Sequence, residues 1–77
     1  MDRQVVMLEW QDACSVDEWS DEVEARVARL ASIVSVGFLV AEHEDRIVLA
    51  LNWDSDNKSY SQFIAVPKPW VLKQVSL

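Results

Sequence analysis

The chain has 77 residues, one cysteine, 51% apolar and 26% charged residues, which describes one small globular domain over 1–77 and excludes a disordered or disulfide-stapled protein. The net charge is −6, and residues 9–24 hold Glu9, Asp12, Asp17, Glu18, Asp21, Glu22 and Glu24 without a single Lys or Arg. Since Arg3, Arg26, Arg29, Arg46, Lys58, Lys68 and Lys73 are scattered, a phosphate-tracking surface is excluded, and so is direct binding to nucleic acid.

The apolar stretches fall short of the roughly 18 residues that a spanning helix needs, and the longest is broken by Ser35. The first residues show no signal-peptide pattern, and the lone thiol of Cys14 fits a reducing compartment. These features predict a cytoplasmic protein that does not enter a membrane.

In chain order, residues 5–10 (Val-Val-Met-Leu-Glu-Trp) are β-branched at their start and read as a strand. An acidic connection follows over 12–20. It offers two helix starts with capping-box spacing, Ser15 with Glu18 and Asp21 with Glu24. Val23, Val27, Leu30 and Val34 recur every three or four residues and predict one amphipathic helix over about 18–29. From Ser32 the period changes to two, with Val34, Val36, Phe38 and Val40 on one face. Gly37, the only glycine, marks a bend or a close backbone approach.

Residues 42–45 read as a polar turn and 46–53 as the next strand, with Ile47, Leu49, Leu51 and Trp53 on one side. Residues 54–58 are rich in turn formers. A strand over 60–66 stops at Pro67, which lacks a ladder donor, and 67–70 form a corner before a last strand over 71–77. The fold class expected is therefore mainly β with one short helix. A strand, a long excursion, three strands on short turns, a proline corner and a closing strand match a five-stranded antiparallel SH3-like barrel, strongly curved at Gly37.

Several segments also resemble a set of small phage and prophage proteins. They are Leu8-Glu9-Trp10 with Asp12-Ala13, Ser35-Val36-Gly37-Phe38-Leu39-Val40, Val48-Leu49-Ala50-Leu51-Asn52, and Ile64-Ala65-Val66-Pro67-Lys68-Pro69-Trp70-Val71. The resemblance covers most of the chain and is weakest over 14–31. It implies an origin in a mobile element and action by binding a host or phage protein or by sequestering a small ligand. It carries over no catalytic residue.

No constellation for catalysis emerges. His43 stands between Glu42, Glu44 and Asp45, but consecutive residues of an extended chain alternate sides and do not converge on one ion. Residues 54–57 begin like a calcium loop, yet Ser59 replaces the required glycine and Ala65 the closing glutamate. Cys14 has His43 as its only candidate base, and one glycine forbids a glycine-rich phosphate loop. The expectation is a non-enzyme with no cofactor and no metal.

Four tryptophans in 77 residues are the unusual feature. Trp10 and Trp53, at strand ends, fit core or interface equally. Trp19, in the acidic excursion, and Trp70, after the proline corner, fit an interface better. The candidate partner-binding residues are thus Asp17, Glu18, Trp19, Asp21, Glu22 and Trp70, and the expected function is a protein-interaction module. The alternatives are an oligomeric protein that sequesters a nucleotide-like ligand and a structural assembly component. Strands apolar on both faces in so short a chain further predict a homo-oligomer.

Overall fold

A computed structural model describes residues 3–13 and 19–77. Its elements are β1 (Val5–Asp12), α1 (Glu22–Arg26), β2 (Ala31–Glu42), β3 (Arg46–Asp54), β4 (Ser59–Pro67), a 3₁₀ turn (Lys68–Trp70) and β5 (Val71–Ser76). The five strands form one antiparallel sheet in the order β4-β3-β2-β1-β5, with β4 and β5 as its two edges. The sheet is mainly β, as the alternation predicts, but it is open: no ladder joins the edges into a closed barrel.

The sheet is nevertheless curled. Val6, Leu8 and Trp10 of β1 form one buried cluster with Ile47 and Leu49 of β3 and Val66 of β4. In a flat sheet β1 and β4 would lie about 14 Å apart, three strand spacings away. Gly37 and a bulge at Val40 allow the bend. A Cβ on Gly37 would stand 2.7 Å from the Ala50 carbonyl oxygen, so the only glycine sits where β2 presses on the backbone of β3. The corner before β5 is tied to the β2–β3 turn, because the Lys68 backbone N–H donates to the Asp45 carbonyl at 2.9 Å.

The helix differs most from expectation. It runs only over Glu22–Arg26 and starts at Asp21, which accepts from the Glu24 backbone N–H at 2.8 Å. The Ser15–Glu18 start lies outside the described residues. The stripe Val23, Val27, Leu30 and Val34 is real in sequence, yet all four are exposed and α1 buries nothing. A five-residue helix without tertiary burial has only its cap and the exposed Glu22–Arg26 pair to hold it. β2 consequently begins at Ala31, within the end of that stripe.

The β3–β4 turn is held by Asp54. Its Oδ1 accepts the backbone N–H groups of Asp56 and Asn57 at 3.0 and 3.3 Å, and its Oδ2 accepts from Asn57 Nδ2 at 2.9 Å. The calcium-like residue pattern is thus spent on an Asx turn. The Asn57 side chain first, then the two backbone donors, hold the Asp54 carboxyl below the usual carboxylate range. A carboxyl depressed on folding contributes stability that is complete above its unfolded value and is lost as pH falls through its folded one. Asp54→Asn is therefore expected to flatten the acid limb, narrowing the gap between urea midpoints at pH 7 and at about pH 3. An unchanged gap would place the acid sensitivity elsewhere.

Candidate partner-binding groove and acidic excursion

Trp70 is placed by the 3₁₀ turn, where Pro69 fits the first turn because it has no N–H to leave unpaired. Its ring stacks on Trp10, with centroids 6.4 Å apart and planes 16° from parallel. Trp10 is core: its ring is buried and its Nε1–H donates to Ser35 Oγ at 3.1 Å, which satisfies the one polar atom it takes inside. Trp70 keeps 43% of its surface exposed, so the pair has a buried half and an open half.

The open half faces a groove of about 330 Å³ lined by Gln11, Asp12, Ala13, Leu30, Pro69, Trp70 and Leu72. Gln11 to Ala13 are where β1 leaves the sheet, and Leu30 is where the chain returns to it. The acidic excursion therefore springs from the rim of the groove. A bulge in β5 opposite Glu9 and Trp10 makes Leu72 an extra residue there, which leaves it exposed beside Trp70 rather than paired in the ladder.

Of the sequence-derived candidates, Trp70 lines the groove and Trp19 is fully exposed on the excursion. Asp21 caps α1, and Glu22 pairs with Arg26 at 2.6 Å, both exposed. Asp17 and Glu18, like Cys14, lie outside the described residues. The sequence did not single out Leu30, Leu72 or Asp12 as groove residues. Leu30 reads as helix stripe and Leu72 as ordinary strand alternation, and only the bulge and the early end of α1 bring them to Trp70. Trp53 is half-buried against Tyr60, 4.7 Å away, with Arg3 Cζ lying 4.0 Å above its ring.

No Lys or Arg is among the described lining residues of the groove, and none occurs in 14–18. Among the described residues no group of three or more His, Cys, Asp and Glu side chains is placed to hold a metal ion. Among the described residues no helix is long and apolar enough to cross a membrane. The chain matches no family model, no curated protein and no solved structure.

Proposed function

We propose that this chain is a non-enzymatic protein-interaction module of phage or prophage origin, acting in the cytoplasm on an SH3-like scaffold that is curled but left open. It takes a partner segment bearing both apolar and basic side chains. The observation that carries this reading is the groove itself: apolar Leu30, Trp70, Leu72 and Pro69 beside the carboxylate of Asp12, at the root of the segment that carries all of the excess negative charge. Apolar contacts supply affinity, and the acidic field speeds encounter with a basic partner.

The groove's volume also falls at the low end for small-ligand sites. A nucleotide-like ligand, however, would bring phosphates to a rim with Asp12 and no cation, which argues for the peptide.

The test titrates the chain with synthetic amphipathic peptides, basic and acidic, following tryptophan fluorescence. Basic peptides are expected to bind, and to bind more weakly as salt rises, because screening acts within about 8–10 Å. Leu72→Glu, at an exposed site, is expected to weaken binding roughly tenfold or more, the scale of losing one apolar anchor. Reversing Asp17, Glu18, Asp21 and Glu22 to Lys is expected to abolish it, with Gln at the same sites as the uncharged control. If folded Leu72→Glu and Lys variants both bind unchanged, the reading fails.

A further inference from the structure

The alternation of the strands leaves the face opposite the core uncovered. Residues directly opposite in an antiparallel ladder share a face. By register, Val5, Phe38, Ala50 and Phe63 form one row across β1, β2, β3 and β4. Val36, Met7 and Val75 form the next across β2, β1 and β5. Ala50 is buried within the first row, but Phe63 is 69% exposed and Val36 52%, and α1, the one α-helix among the described residues, has no buried residue.

The area of the single chain shows how much cover is missing. A compact protein of this mass exposes about 4,800 Å², whereas this chain exposes 6067 Å². Its radius of gyration is 16.1 Å, against about 11–12 Å for a compact chain of this length. The excess is about 1,300 Å² per chain and is shared between this face and the exposed stretch from Trp19 to Leu30, so covering the face in a pair accounts for part of it.

Charge selects the occupant. By register the charged residues on this face are Glu9 and Lys73, directly opposite one another in the β1–β5 ladder, and Arg46 and Asp54 at the two ends of β3, and their charges cancel. A foreign partner of the acidic excursion needs basic side chains, and this face has no net charge to attract them. Two copies of a chain carrying −6 repel least through their neutral surface, and a two-fold pair needs only a self-complementary patch.

We infer that a second copy of this chain covers the Phe38–Phe63 and Met7–Val36 face, making a face-to-face homodimer. The inference does not rest on the groove, which lies by Trp10 on the core side of the sheet.

Sedimentation of the intact chain across micromolar concentrations tests it. The expected species has twice the 8.8 kDa chain mass, and its urea midpoint rises with protein concentration. Phe63→Glu with Val36→Glu is expected to weaken association more than about a hundredfold, as burying unpaired charge at an interface centre does. Leu51→Glu, exposed on the other face of β3, is expected to leave the dimer intact. Should the Glu pair fail to fold, Phe63→Ser alone is read through the concentration dependence of its midpoint, which should vanish. A well-folded 8.8 kDa monomer, even one that captures another protein through Phe63, overturns the inference. So does a dimer that survives the Phe63 variants.

Discussion

Leu8→Ala is expected to remove a large share of the stability of this chain. Leu8 is fully buried at the centre of a cluster whose other members are Val6, Trp10, Ile47, Leu49 and Val66, with Ile33, Leu39 and Val71 only partly buried around it. Truncating a buried leucine costs about 2–5 kcal/mol, through lost transfer energy and the cavity left behind. A chain of this length has roughly 4–12 kcal/mol in all. With so few buried side chains, no second layer exists to collapse into the hole. Urea unfolding followed by far-UV circular dichroism should show a large fall in midpoint, whereas Leu72→Ala, at an exposed site, should shift stability by no more than about 0.5 kcal/mol. Equal effects of the two substitutions would mean that the core is elsewhere.

Gly37→Ala is expected to be nearly as harmful, for a different reason. Its φ is not positive, so the backbone conformation suits alanine. What alanine lacks is room: its Cβ would stand 2.7 Å from the Ala50 carbonyl oxygen and 3.3 Å from the carbonyl carbon. Overpacking costs about 1–3 kcal/mol where side chains can shift, and here the obstacle is the backbone of a paired strand, which cannot rotate aside. Adding Ala50→Gly should therefore give no rescue, since the clash is with atoms that every residue has. Rescue by that second substitution would show that a side-chain contact was at fault.

The strands, both short turns and the proline corner were legible because each rests on local chemistry: β-branched alternation over 5–10 and 46–53, turn formers at 42–45 and 54–58, and a missing N–H at Pro67. Gly37 was legible as a point of close approach because little else justifies a glycine amid Val36 and Phe38. The helix was overestimated. Val23, Val27 and Leu30 have helical spacing, but spacing records which face could be buried, and nothing among the described residues buries it. The groove was only half visible, since Trp70 stands out by type while Leu30 and Leu72 reach it through a short helix and a bulge that no period reveals. Edge-to-edge closure was not legible at all, as it depends on hydrogen bonds between strands far apart in the chain.

The open sheet has one more consequence, which concerns crowded solutions. Two edges with unpaired backbone groups are templates for adding further strands, and a chain this apolar would be prone to cross-β aggregation through them. Both edges are interrupted. On β4, Gln62 has a φ of 54°, which turns its peptide out of the extended ladder, and Pro67 ends the strand without a donor. On β5, the extra residue Leu72 breaks the spacing and Lys73 adds a charge beside it. An incoming strand could match only short pieces of either edge. The protein is thereby protected from filament growth along its strands without the complete closure that a barrel would provide.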